Sequence, residues 1–297
     1  MGANAIRAWA FLDAESAPAF QYFENSAIRI DDGPQGLERL DALIAAAEEL
    51  GLGLILPLVN YWPDFGGMPM YLHWLGIPGD ITNFYSLPEA RRAYRTWVEH
   101  VLTRRNTITG RLYSEEPGIV AWELANEPRC GIPGGRELLL DWISEMSVFV
   151  KQLDRNHLLA LGDEGFFYGR GAGHLYDGTY GVDFEAVLVL DSIDFGTYHF
   201  YPQNWGLSGN LEFGDRWIAD HIAAGKRANK PVVLEEYGVK IDGRAVRSAS
   251  ERDRWLDTWR RSVQDLDGGG ALLWMLGCDE PDTRGYCDDY TIYQSLV

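Results

Sequence analysis

Ile119-Val-Ala-Trp-Glu-Leu-Ala-Asn-Glu-Pro128 opens on β-branched, small and aromatic residues, and a proline stops it one position after Glu127. Pro231-Val-Val-Leu-Glu-Glu-Tyr-Gly238 has the same design and places Glu236 two residues before a glycine. A short apolar run closed by Pro or Gly reads as a buried parallel strand breaking into a loop. The two glutamates are 109 residues apart (236 − 127). Each stands at the carboxyl end of its strand, which is where α/β barrels keep their chemistry.

Working outward, five further runs share this character: Ala5–Phe11, Leu52–Asn60, Leu158–Asp163, Asp194–Tyr201 and Ala271–Leu276. Stretches with helical apolar spacing fill the gaps. Gly36–Leu50 carries Leu37, Leu40, Ile44 and Ala47 on one stripe with a stop at Gly51. Pro88–Thr103 carries Tyr94, Trp97 and Val101, and Arg136–Leu153 carries Leu139, Ile143, Met146 and Val150. Glu212–Ala228 and Ser250–Leu266 complete the set. Strand and helix alternating this often predict a parallel sheet covered by helices, an α/β fold of the (β/α)₈ TIM-barrel type. No linker interrupts the pattern, and 297 residues suit one catalytic domain, 1–297. Seven strands are one short of a closed barrel. The chain opens almost directly on a strand and stops ~20 residues after the last one. The expectation is therefore that it starts at barrel strand two and lacks the first βα unit and the last helix. Strand edges exposed by such a gap are a liability for solubility.

Forty-four acidic against 26 basic residues leave a net charge of −18, which repels nucleic acid and anionic lipid and argues against both as partners. A neutral substrate is indifferent to that charge, and a well-solvated surface accounts for it equally. The three cysteines, Cys130, Cys278 and Cys287, show no zinc-type spacing, so a metal site is not suggested. Cys278 and Cys287 bracket an eight-residue loop and read either as a disulfide or as two free thiols. The chain as given shows no leader pattern and no apolar run of ~18 residues. Gly169-Arg-Gly-Ala-Gly173 superficially resembles a phosphate loop, but no strand leads into it and no Lys-Ser/Thr follows, so it reads as a flexible loop.

Eleven Trp and fifteen Tyr serve either as core mass or as platforms for flat apolar ligand faces. Trp97, Trp142, Trp217, Trp255 and Trp259 fall inside helical patterns and read as core. Trp62, Trp205 and Trp274 stand beside loop residues and are the candidates for ligand contact.

Two carboxylic acids facing one another across a pocket are the minimum equipment for cleaving a glycosidic bond. The segments around Glu127 and Glu236 resemble the retaining β-glycosidases of glycoside hydrolase clan A, and more narrowly family 5. There the Glu of Asn-Glu-Pro after strand four is the acid/base, and a Glu before an aromatic residue and Gly after strand seven is the nucleophile. With one strand missing at the start, the runs ending at Glu127 and Glu236 become strands four and seven. Arg7 in Ile-Arg-Ala-Trp-Ala-Phe matches a strand-two Arg, and His199 and Tyr201 in Thr-Tyr-His-Phe-Tyr-Pro match a strand-six His-x-Tyr. Trp274 in Leu-Leu-Trp-Met matches the strand-eight Trp that floors the subsite on the non-reducing side of the cut. Val59-Asn-Tyr-Trp-Pro-Asp-Phe-Gly-Gly67, Asn106-Thr-Ile-Thr-Gly110, Trp122–Cys130 and Gly162-Asp-Glu-Gly-Phe166 look like the plant and fungal type of endo-β-1,4-mannanase.

What the resemblance implies is a retaining enzyme with Glu127 as acid/base and Glu236 as nucleophile, no cofactor and no metal. Glu236 must be ionised to attack, which Arg7 and a Tyr201 hydroxyl would favour. Glu127 must hold a proton, which calls for a partly apolar, like-charged setting. Asn126 offers an amide to the sugar 2-hydroxyl, and Trp274 offers a ring face. Glu123, four residues deeper than Glu127, reads as a paired interior carboxylate, and Glu235, pointing away from Glu236 on a regular strand, reads as structural. Arg129, Glu164, Trp62 and Trp205 read either as cleft residues on the reducing-end side or as loop packing. The implied substrate is a neutral β-mannan polysaccharide, cut internally by a secreted monomer, although the chain carries no signal peptide. Alternatives are a β-1,4-glucanase or exo-β-mannosidase on the same scaffold, or a catalytically inactive carbohydrate-binding protein.

Overall fold

The computed structural model describes residues 2–278 and 288–294. They fall into two compact units, Met1–Phe195 and Gly196–Val297. Cys287 and the Cys278 side chain, the two ends of the disulfide alternative, lie outside the described residues.

In the first unit the order is β1 (Ala5–Arg7), β2 (Asp13–Ala14), β3 (Gln21–Glu24), β4 (Ala27–Ile30), α1 (Glu38–Glu49), β5 (Gly53–Pro57), α2 (Gly67–Trp74), α3 (Asn83–Ser86), α4 (Pro88–Thr103), β6 (Ile119–Glu123), α5 (Gly135–Leu153), β7 (Leu158–Ala160) and α6 (Phe184–Leu188). Strands β1, β5, β6 and β7 form one sheet in that spatial order, every pair parallel. All four apolar runs expected here are strands. Each ends three or four residues early, because the chain goes on in an extended form while its ladder thins. Leu58 N–H still reaches the Glu123 carbonyl at 3.0 Å, and Asn126 N–H reaches that of Val59 at 2.8 Å.

Helix α4 shows why the strand ends stay in place. It starts with Pro88 in its first turn, where no N–H is needed. Its inner face buries Ala90, Tyr94, Trp97, Val98, Val101 and Leu102. Tyr94 donates its hydroxyl to the Leu124 carbonyl at 2.7 Å, and Trp97 its indole N–H to that of Leu58 at 3.0 Å. Those carbonyls have left the regular ladder, so a buried acceptor that would otherwise cost roughly 1–3 kcal/mol is satisfied from the helix side. The sheet β2–β3–β4 and helices α2, α3 and α6 were not read from the sequence.

The second unit holds β8 (Gly196–Phe200), α7 (Phe213–Ala228), β9 (Val232–Tyr237), α8 (Ala249–Asp265), β10 (Gly270–Leu273), β11 (Leu276–Cys278) and β12 (Ile292–Gln294). Here β8 and β10 flank β9, both parallel to it, and β11 pairs with β12. Helix α7 ends at Asn229 in the left-handed conformation, φ 55°, with Lys226 and Arg227 in its last turn. Helix α8 is capped by Ser248, whose hydroxyl accepts from Glu251 N–H. Trp217 repeats the device of α4, donating its indole N–H to the His199 carbonyl at 2.8 Å. Of the tryptophans assigned to the core, Trp97, Trp142, Trp217 and Trp259 are fully buried. Trp255 is only half-buried, because it sits beside Trp259 at the edge of the buried stripe of α8 rather than on it.

Candidate active site

In the first unit the site is built on the extended chain after β6. Arg7, at the end of β1, is almost entirely buried, and its Nε and Nη2 donate to Glu123 Oε2 at 3.0 and 2.8 Å. Glu123 is therefore the paired interior carboxylate expected of it. The same Nη2 donates to Asn126 Oδ1 at 2.9 Å. Because a guanidinium can only donate, this contact fixes which way the Asn126 amide points. Its Nδ2 then donates to Asn60 Oδ1 at 3.0 Å, leaving the second Nδ2 hydrogen for a hydroxyl.

Glu127 has φ 49°, in the left-handed region, a conformation that costs a non-glycine residue on the order of 1 kcal/mol or more and persists only where neighbours enforce it. Here they do. Asn126 N–H is tied to Val59 on one side and Glu127 N–H to the Gly162 carbonyl on the other, at 2.8 and 2.7 Å. Gly162 itself has φ 87°, and a Cβ there would stand 2.3 Å from the Ala125 carbonyl oxygen and 2.7 Å from Glu123 Oε2. The absent side chain is what lets the two strand ends approach. The turn swings the half-buried Glu127 carboxylate under Trp62, whose indole N–H donates to Oε2 at 2.5 Å.

Arg129 lies 5.0 Å from the Trp62 ring, 4.4 Å from that of Tyr180 and 5.2 Å from that of Phe166. Its fork is held by both oxygens of Glu164 at 2.5 and 2.6 Å. Burial pushes this guanidinium down, but the charge and hydrogen bonds of Glu164, with the charge of Glu127, raise it overall. Trp62, Arg129 and Glu164 thus form one assembly beside Glu127 rather than separate pieces of loop packing.

In the second unit Glu236 is the fifth residue of β9 and 5% exposed. Tyr201 donates its hydroxyl to Glu236 Oε2 at 2.6 Å, a charge-assisted bond that favours the ionised carboxylate. The buried His199 ring presents Nδ1 to Glu236 Oε2 at 3.7 Å and Nε2 to Glu235 Oε2 at 3.4 Å. The strict alternation expected for Glu235 therefore fails. The β8–β9 ladder shifts register between Tyr198 and His199, and one imidazole reaches both carboxylates. Glu235 is 1% exposed, in keeping with an interior role.

Trp274 follows β10, donates its backbone N–H to the Tyr237 carbonyl at 3.1 Å, and donates its indole N–H to Asp288 Oδ2 at 2.8 Å. Trp205 is 6% exposed and packs edge-on to Phe200 and Trp217 at 5.8 and 5.5 Å, which favours packing over ligand contact. Asn60 and Trp9 were passed over in the sequence. Asn60 holds Asn126 and also accepts from Trp62 N–H at 3.2 Å, and Trp9 lies 5.1 Å from the Arg7 guanidinium. Asn60 carries one usable signal: it is the first polar residue after the apolar run that begins at Leu52.

Each unit thus carries a glutamate at a strand end, Glu127 half-buried on a left-handed turn and Glu236 buried and held by a tyrosine hydroxyl. A family model described as glycoside hydrolase family 5, β-mannosidase-like, matches residues 1–270. The chain belongs to that family. This family-5 chain is 37% identical over 300 residues to mannan endo-1,4-β-mannosidase A of Podospora anserina, covering 98% of this chain and 74% of that one. It is 38% identical over 300 residues to a probable mannan endo-1,4-β-mannosidase A-1 of Aspergillus terreus, covering 98% and 72%. Among solved structures, the endo-1,4-β-D-mannanase of Thermotoga petrophila matches with a TM-score of 0.89 at 38% identity, over 99% of this chain and 88% of that one. The endo-1,4-β-mannanase of Rhizomucor miehei matches at 0.88 and 34%, over 98% and 81%. An endoglucanase of Thermotoga maritima, 13% identical at 0.63, shares the fold alone. The architecture is the family's (β/α)₈ barrel, as the alternation of strands and helices predicted.

Proposed function

We propose that this family-5 member is a retaining endo-β-1,4-mannanase that cuts internal bonds of mannan, glucomannan or galactomannan by double displacement. The observation that carries the reading is the contrast between the two glutamates. Glu236 is buried and receives the Tyr201 hydroxyl, as a nucleophile that must stay ionised and fixed requires. Glu127 is half-buried, as a group that must exchange its proton with water requires. In the first step Glu236 attacks the anomeric carbon while Glu127 protonates the leaving oxygen. In the second, Glu127 takes a proton from water as the water displaces Glu236. Asn126, oriented by Arg7, donates to the sugar 2-hydroxyl, and Trp274 carries the ring face of the sugar on the non-reducing side. Trp62, Arg129 and Glu164 line the reducing-end side.

The assignment to mannan is supported by relatives named as mannanases along nearly the whole chain. A polymer too large to enter a cell also calls for a secreted enzyme, and a neutral one suits the acidic surface. Among the described residues no helix is long and apolar enough to cross a membrane. The test is incubation with mannan, carboxymethyl cellulose and xylan, with sizing of the products and of the protein. Mannan shortened to a ladder of oligomers by a monomer supports the reading. Release of mannose alone would make it an exo-enzyme, action on carboxymethyl cellulose a glucanase, and binding without cleavage a carbohydrate-binding protein.

A further inference from the structure

We propose that the turn Asp288–Thr291 is a positioning element, holding Trp274 through Asp288 and Tyr201 through Tyr290. The turn is internally braced: Asp288 N–H donates to Thr291 Oγ1 at 2.9 Å, and Asp288 Oδ1 accepts from Tyr290 N–H at 2.9 Å and from the Thr291 hydroxyl at 3.2 Å. That leaves Oδ2 of Asp288 to fix the plane of the Trp274 indole at 2.8 Å. Tyr290, 5% exposed, meets the Tyr201 ring at 4.9 Å and 64°. Its hydroxyl is anchored on Asn204 Oδ1 at 2.8 Å, and Lys240 Nζ lies 4.7 Å from its ring.

The residue after the Glu-Tyr pair of β9 completes the arrangement. A Cβ on Gly238 would come within 2.8 Å of Tyr290 Cδ1, 3.0 Å of the Trp274 carbonyl oxygen and 3.1 Å of Tyr201 Cε1. The glycine leaves the space in which both tyrosines converge. Tyr201 in turn donates to Glu236 at 2.6 Å, so Tyr290 acts on the carboxylate through Tyr201 and Asp288 acts on the sugar platform through Trp274. This inference rests on the reading of Glu236 as nucleophile and of Trp274 as a sugar platform.

The experiment uses the full chain on whichever polysaccharide the wild type cleaves. Tyr290→Leu should lower kcat by about tenfold or more, the scale of one hydrogen bond to a charged group. It should also move the acid limb of the pH profile to higher pH, because a carboxylate that loses a donor to its charged form is protonated more readily. Tyr290→Phe, which keeps the ring and loses only the hydroxyl anchor on Asn204, should shift the limb less and in the same direction. Asp288→Asn should raise KM with a smaller effect on kcat. In a Tyr201→Phe background, Tyr290→Leu should shift the limb no further.

A Tyr290→Leu profile with an unmoved acid limb, or a further shift in the Tyr201→Phe background, would overturn the proposal. Should Tyr290→Leu fail to fold, Asn204→Ala, which frees only the hydroxyl anchor, must give a smaller shift in the same direction or the proposal fails. The nucleophile reading is checked separately by Glu236→Ala, whose full activity would sink that reading whatever the limb does.

Discussion

A carboxyl group that gives up and regains a proton is tuned by the groups that touch it. Within its own unit Glu127 meets the Trp62 N–H and the charge of Arg129, both of which favour its ionised form. Trp62→Phe should therefore raise the titration midpoint of Glu127, as followed by carboxyl carbon resonances; a midpoint unchanged or lowered would remove this account. The roles also separate by rescue. Glu127→Ala should keep some activity on an aryl mannoside that needs no protonation, and azide should restore it with configuration kept. Glu236→Ala should be nearly inactive, with azide giving at most inverted product, and exchanged patterns would mean exchanged roles. The residues in these arguments were legible because each ends an apolar run and falls in a family-like motif. Tyr290 was not, because the contacts that recruit it join positions far apart in the chain; Asn60 showed only its place after an apolar run, and Trp9 only its place two residues after Arg7.

Among the elements, the seven strand runs and five long helices were readable for one reason: each buries an apolar face along a regular period. The sheet β2–β3–β4 has strands of two to four residues, too short for alternation to declare itself, and α3 and α6 are four and five residues long. Strand ends were overestimated because apolar character continues past the ladder, up to the residues that helix aromatics hold. Tyr94→Phe tests that hold. It keeps the ring but strands the Leu124 carbonyl, and denaturant unfolding should show a loss of roughly 1–3 kcal/mol, with reduced kcat because Leu124 lies three residues before Glu127. Unchanged stability and turnover would show that the hydroxyl bond contributes little.

For the whole molecule, the clearest pH lever is a buried carboxyl that the proposed chemistry does not use. Asp13 in β2 is 3% exposed, and its Oδ2 has no hydrogen-bond partner among the described residues. Burial pushes its carboxyl up to about 8 from an ordinary 3.8, against the pull of hydrogen bonds from Gln21 and Gly67 N–H. The folded state then holds a proton that the unfolded chain releases. Its contribution to stability is complete below about pH 3.8 and is lost progressively as the pH rises to about 8. Melting temperature should fall across that window, and Asp13→Asn, which keeps an acceptor for Gln21, should flatten the decline. An equally steep decline in the variant would assign the effect to other groups. The indole and phenol donors of Tyr94, Trp97 and Trp217 have a different consequence. They fasten the strand termini from the helix side, so the loops on the opposite side have no part in anchoring those carbonyls. Such loops are open to grafting: the exposed segment 169–173 after β7 can be exchanged for one of another length or charge, while the strands beneath it keep their register.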